Sequence, residues 1–343
     1  MKNNKYVVYI YNMCNVLMHE KMKPFILLLT LACIVSCGSN RRANAFLSHM
    51  DTLYQQNPAE AIIAIDSFIS CHNDMSQHNR MLLTLYRLSA QNSVGEPFAS
   101  DSLARKVVEY FDDNGSVEEQ MSAYYVLGSV YRDLDNYPEA LADYQKAVAL
   151  ADTTDGNKNN AFLNRVYGQM GDVLLSQLAF NEAGVAYSLA VRFACKDKDT
   201  LGVLLSKEQI ANVLYLQNRR DEACKLREWL HDEYLKNGFV REASKVLVPN
   251  VSTLLERGKV EEVGRILRSY EEHSGDVDSL GNVVSGLENT ITTKPIIFWL
   301  NRMCQVLWVI IGKACALQMT TNTEKRFCED LRKLTRSWAC PIP

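Results

Sequence analysis

Six histidines, His19, His49, His72, His78, His231 and His273, are the side chains of this chain best suited to acid–base or metal chemistry near neutral pH. None lies in an HExxH pattern, and none has a second ligand at helical spacing. His72 and His78 flank the polar stretch Asn73-Asp74-Met75-Ser76-Gln77, where solvated side chains are expected. His231-Asp232-Glu233 reads as a charged helix face. The carboxylate pairs Glu118-Glu119 and Glu271-Glu272 are adjacent in sequence. Adjacent residues on a helix point apart, whereas general acid–base catalysis needs two groups facing one cleft. No GxSxG occurs, and the 16 glycines form no phosphate-cradling loop. Cys71, Cys195 and Cys224 are the cysteines between residues 38 and 289. They lack CxxC spacing and are expected to pack between helices, with no metal site or disulfide framework. The net charge is −3 and no basic stripe points to nucleic acid. The expectation is a chain without catalytic residues, cofactor or metal.

The elements that would carry any site are legible as a periodic pattern. Small residues recur at Ala61, Ala104, Ala140, Ala183, Ala223 and Val263, at intervals of 43, 36, 43, 40 and 40 residues. Four residues on stand Ile65, Val108, Tyr144, Tyr187, Arg227 and Leu267; three further on stand Phe68, Phe111, Ala147, Ala190, Leu230 and Tyr270. Upstream run Gly128, Gly171, Ala211 and Val251, and three after these Tyr131, Leu174, Leu214 and Leu254. Spacings of three, four and seven keep each set on one helix face. A first helix needs a small residue where its partner crosses it, and the second needs one facing the next hairpin. Asp135-Asn136-Tyr137-Pro138, Gln217-Asn218-Arg219-Arg220 and Arg257-Gly258-Lys259 break the apolar runs and read as turns. A period of this length means helical hairpins, none of which can bury its apolar face alone.

The stretch Tyr124 to Ala147, YYVLGSVYRDLDNYPEALADYQKA, resembles a tetratricopeptide repeat through Leu127-Gly128, Tyr131, Ala140, Tyr144 and Ala147. The resemblance implies an all-α fold, a TPR-like α-α superhelix built as a right-handed solenoid of helical hairpins. It also implies a protein or peptide partner bound along the groove lined by the first helix of each hairpin. Counting from the pattern, the groove candidates are Tyr125, Ser129 and Arg132, then Arg165 and Asp172, then Asn212 and Tyr215. Tyrosine and arginine are frequent interface anchors. Repeats that clamp a C-terminal carboxylate use a basic residue with paired asparagines. Here Asn212 stands alone and the corresponding positions hold Tyr125, Gly168 and Glu208, so that clamp is not expected.

Lys21-Met22-Lys23-Pro24, the run FILLLTLACIV and Ser36-Cys37-Gly38 read as a secretory signal. Ile34-Val35-Ser36-Cys37 resembles a bacterial lipobox, which makes Cys37 the expected lipid-bearing mature N-terminus. Met22 is the expected initiator, with residues 1–21 as upstream sequence. No acidic residue follows Cys37 directly, so the anchored protein is expected to face the periplasm.

Composition changes after about Asn289. All 16 tyrosines lie at or before Tyr270, whereas Trp299, Trp308, Trp338, Cys304, Cys315, Cys328 and Cys340 lie beyond it. Three readings stand. Residues 296–316 could span a membrane, although Asn301, Arg302, Gln305 and Lys313 interrupt the run. The tail could be a C-terminal cap. The reading preferred here is a frameshift: one frame over, permitted codon choices let residues 290–343 encode a further tetratricopeptide hairpin. Its small residue would fall at Leu307, 44 residues after Val263. The expected organisation is a leader over 1–37, degenerate hairpins over 38–115, a solenoid over 116–289 and an anomalous tail over 290–343.

Leu47 to Asn289 resembles the tetratricopeptide lipoproteins of the Bacteroidetes, with the weak first hairpin LYQQNPAEAIIAIDSF, then SDSLARKVVEYFDDNG, then the clear repeat. In many of those relatives a transmembrane helix and a signalling segment follow. The resemblance therefore implies a lipid-anchored binding scaffold or, as the alternative, the truncated sensor half of a transmembrane signalling or transcriptional regulator.

Overall fold

The computed structural model describes residues 42–50, 52–72, 74–151 and 158–276, and these contain helices and no strand. The expected leader, Cys37 and the tail beyond residue 289 lie outside the described residues. The chain falls into two compact units, one with residues 42–94 and 102–119, the other with 95–101 and 120–276.

The first unit holds helical residues 42–50 and 52–56, then α1 (Pro58–Cys71), α2 (Gln77–Val94) and α3 (Ser102–Asn114). α1 starts where Asn57 accepts the Glu60 N–H at 3.4 Å and Pro58 fills a first-turn position that needs no donor. Its apolar face, with Ile65, packs on Ala43, Leu47, Met50, Met75 and Leu83. Phe68 stacks on Phe46 at 4.0 Å and on His72 at 4.1 Å. His72 and His78 are half-buried, with His78 3.3 Å from Glu119, where solvated rings were expected.

The second unit is built around α4 (Val117–Asp133), whose first turn belongs to the first unit, and α5 (Tyr137–Leu150). It continues with α6 (Asn160–Ser176), α7 (Phe180–Asp197), α8 (Thr200–Leu216), α9 (Arg220–Lys236), α10 (Val240–Val246), a 3₁₀ turn (Val248–Asn250), α11 (Val251–Glu256) and α12 (Val260–His273). Each small column residue is buried: Ala61, Ala104, Ala140, Ala183, Ala223 and Val263 are at most 3% exposed. The column four residues on is buried throughout, from Ile65 to Leu267. Pro249 cannot donate to an α-helical ladder, and the chain between Val240 and Glu256 breaks there into two short helices around the 3₁₀ turn.

Every hairpin in this unit turns in one way. Asp135, Leu178, Asn218 and Gly258, each five residues before its column residue, have φ between 58° and 71°. The next N–H then reaches back to the carbonyl five residues earlier: Asn136 to Tyr131, Ala179 to Leu174, Arg219 to Leu214 and Lys259 to Leu254, at 2.8–3.0 Å. This is the left-handed cap that satisfies the last carbonyls of a helix. It explains why Tyr131, Leu174, Leu214 and Leu254 form a column: each marks the last full turn of a first helix.

Candidate functional site

The candidate face is the set of first helices α4, α6 and α8, and its geometry follows from how the second helices cross them. On α4 the ring of Tyr144 lies where a Cβ on Gly128 would come within 2.7 Å of it. On α6 a Cβ on Gly171 would come within 2.5 Å of the Tyr187 ring. Glycine at each crossing makes room for the aromatic ring, and the ring's hydroxyl reaches the residue that follows the glycine. There the Tyr144 hydroxyl lies 3.1 Å from Ser129 Oγ, and the Tyr187 hydroxyl donates to Asp172 Oδ1 at 2.6 Å. In the next hairpin Arg227 replaces the tyrosine and donates from Nη2 to Asn212 Oδ1 at 2.8 Å. The donor–acceptor separation is 15 residues in all three.

Three of the expected groove residues are thereby accounted for. Ser129 is fully buried, and Asp172 and Asn212 are half-buried with their polar atoms turned to their own hairpin. They stand one residue after the crossing position, so they meet the tip of whatever crosses there. The constant 15-residue offset to Tyr144, Tyr187 and Arg227 was the signal that would have paired them.

Arg132 is also engaged. Its Nε and Nη2 donate to Asp133 Oδ1 at 2.9 and 2.8 Å, and its Nη1 donates to Gln169 Oε1 on α6. Gln169 Nε2 in turn reaches Asp172 at 3.4 Å. Tyr125 is half-buried, tilted against Tyr144 at 5.9 Å and edge-on to Phe162 at 5.8 Å. Tyr215 lies beneath two guanidinium groups, Arg220 at 5.5 Å and Arg227 at 5.6 Å. Arg165 is exposed and makes no hydrogen bond or ion pair among the described residues.

The carboxylates of this face are drawn inward. Burial pushes the Asp172 carboxyl above its ordinary value, against the opposing pull of the Tyr187 hydrogen bond and Arg132. Burial does the same to Glu208, which accepts the Tyr234 hydroxyl at 3.1 Å. Tyr144, Tyr187 and Tyr234 are all pushed up by burial and stay neutral donors at any ordinary pH. Burial lowers Arg227, whose Nε has no hydrogen-bond partner among the described residues. These groups fasten helices; none forms a nucleophile–base pair.

The cysteines divide. Cys224 is buried, as helix packing requires, but Cys71 and Cys195 are exposed. His231 is half-buried with Nδ1 2.9 Å from the Ala243 carbonyl, so it joins α9 to α10 and does not sit on an open charged face. No group of three or more His, Cys, Asp or Glu residues could hold a metal among the described residues. No helix among them is long and apolar enough to cross a membrane.

Residues 122–153 match the family model of the tetratricopeptide repeat. The protein carries a tetratricopeptide repeat. With the buried columns on either side, the chain is an all-α protein of TPR-like hairpins. No curated protein sequence matches it. Among solved structures it is similar to a Podosopora anserina protein described as a kinesin light chain with nearly identical TPR-like repeats. That likeness has 16% identity and a TM-score of 0.45, covering 57% of this chain and 97% of the other. It is also similar to BtubC (BKLC) from P. vanneervenii, at 10% identity and a TM-score of 0.48, covering 70% of this chain and 91% of the other.

Proposed function

We propose that the chain is a non-enzymatic scaffold that binds a protein or peptide along the first-helix face of its second unit. Tetratricopeptide repeats generally form protein-interaction scaffolds. One observation carries the reading: Arg132, Asp172 and Glu208 of α4, α6 and α8 are spent joining helices, while Arg165, Leu205 and Leu216 remain exposed on that face. A stack whose polar chemistry is internal offers a partner a surface and no reaction.

Placing a photo-crosslinking residue at Arg165 or Leu205 in cells should trap a discrete protein. The same residue at Val185, exposed on the second helix α7, should not. Equal trapping from all three positions, or none from the first two, would defeat the reading.

The finer part of the proposal is a lipid anchor at Cys37 that holds the scaffold to the cell envelope on the periplasmic side. It rests on Ile34-Val35-Ser36-Cys37 after a basic, then apolar, leader. Cys37→Ala should abolish incorporation of labelled fatty acid and release the protein from the membrane fraction. A label retained in that variant would disprove the anchor.

A further inference from the structure

The turn that follows α12 uses a familiar backbone to a different end. Gly275 holds φ of 70°, as Lys198 after α7 and Gly238 after α9 hold 61° and 81°. After α7 the next residue, Asp199, turns its carboxylate forward and accepts the Gly202 N–H at 2.9 Å, which starts α8. After α12 the next residue is again an aspartate, Asp276, and its carboxylate turns back.

Asp276 is 2% exposed, and both its oxygens serve elements that precede it. Oδ1 accepts Lys245 Nζ at 2.7 Å and Arg241 Nη2 at 3.4 Å, both from α10. Oδ2 accepts the Tyr270 hydroxyl, from α12, at 3.1 Å. Burial, with Asp276 beside it, pushes Tyr270 up, so the phenol stays a neutral donor. Ser274 is fully buried and fastened as well. Its N–H donates to the Tyr270 carbonyl at 3.0 Å, its Oγ accepts the Asp276 N–H at 3.1 Å, and its carbonyl accepts Arg241 Nε at 2.9 Å. Removing the partners of a carboxylate so deeply buried leaves an uncompensated charge, which is strongly unfavourable.

The two elements joined here are the opening and the closing helices of one hairpin. Their crossing, at Val251 and Leu267, is apolar. The polar fastening lies instead at the end where the chain leaves the hairpin.

We infer that Ser274-Gly275-Asp276 is a strap that locks the end of α12 to α10, so that this hairpin opens only when Asp276 is released. Local opening of a helical stack proceeds in contiguous cooperative units, and the strap sets the barrier for this one. Residue 277 continues directly from the strap. A pull on the following chain therefore loads Asp276 before it loads α12.

The test is hydrogen exchange of the full chain, read by mass spectrometry on peptides from α12 and from α6–α7. Asp276→Ala should speed exchange in α12 by at least about tenfold and leave α6–α7 unchanged. Lys245→Met should reproduce the pattern, and Tyr270→Phe, which removes one hydrogen bond, should reproduce it more weakly. Unchanged α12 exchange in Asp276→Ala overturns the strap. Equal acceleration in α12 and α6–α7 also overturns it, because the hairpin would then not open as a unit of its own. If Asp276→Ala fails to fold, Tyr270→Phe decides: acceleration confined to α12 upholds the strap, and none overturns it.

Discussion

Hairpin α6–α7 and hairpin α11–α12 share a register and differ in how they fill it. In the first, Gly171 lets the Tyr187 ring cross the helix and its hydroxyl bonds Asp172. In the second, Val251 stands at the crossing, Leu267 stands where the tyrosine would be, and Ser252 takes the place of Asp172. The Ser252 hydroxyl is buried with no hydrogen-bond partner among the described residues. An apolar cluster packs this last hairpin, through Val248, Val251, Leu254, Val263, Ile266, Leu267 and Tyr270, and the Tyr270 hydroxyl donates to Asp276 at 3.1 Å. A tetratricopeptide backbone therefore does not need the polar pair to form. The pair adds specificity in the middle of the stack, and its absence leaves an unsatisfied group at the end.

Breaking the pair in α6–α7 should have the largest effect. Tyr187→Ala removes a ring that is 1% exposed and strands a buried carboxyl. It should cost about 3–5 kcal/mol in urea denaturation. A loss below about 1 kcal/mol would show that neighbouring hairpins support this one without the ring.

Next in size is an attempt to install the pair at the other end. Leu267→Tyr alone should destabilise by about 1–3 kcal/mol because Val251 occupies the space. Adding Val251→Gly should recover part of that loss by admitting the ring and giving Ser252 a partner. Strictly additive losses in this double-mutant cycle would mean the two hairpins differ in backbone as well as in filling.

A pH titration sharpens the contrast through Glu208, whose folded carboxyl is raised by burial above the ordinary 4.5. The unfolded chain releases this proton first, so stability is present below pH 4.5 and falls as pH rises toward the folded value. The slope of this one group cannot exceed about 1.4 kcal/mol per pH unit. Glu208→Gln should flatten that decline; an unchanged profile would assign it elsewhere.

The smallest effect concerns the turns. Leu178 holds φ of 60° while 72% exposed, where the last hairpin has Gly258. Leu178→Gly should raise stability by up to about 1 kcal/mol, read as a higher melting temperature, because glycine adopts the left-handed region without strain.

Much of this architecture was legible from residue type and spacing. Ala140, Ala183 and Ala223 could be aligned because a helix crossing tolerates only small side chains, and Tyr131, Leu174 and Leu214 because a cap follows each. The direction of Ser129, Asp172 and Asn212 was not legible in the same way. Periodicity places a residue on a helix face, but the crossing partner decides whether that face is open. Arg227 hid the pattern further, since a guanidinium in a buried tyrosine column reads as degeneracy until it is seen bonded to Asn212 and to Asn250. Arg165 and Tyr125 could be placed on the first-helix face from sequence, but the packing of Tyr125 against Tyr144 and Phe162 could not, because it depends on how neighbouring helices meet.

The links between successive hairpins have a mechanical meaning. Gln217 bonds back to Asn181, and Arg257 pairs back to Asp221, at one shared offset of 36 residues along the exposed turn edge. Under tension applied through the chain ends, these surface links shear before the ring-filled crossings do. Extension should then proceed in steps from the Val263 end, each freeing about 40 residues, or roughly 140 Å of contour length. In such a trace the tyrosine-filled hairpins would be the last to give way.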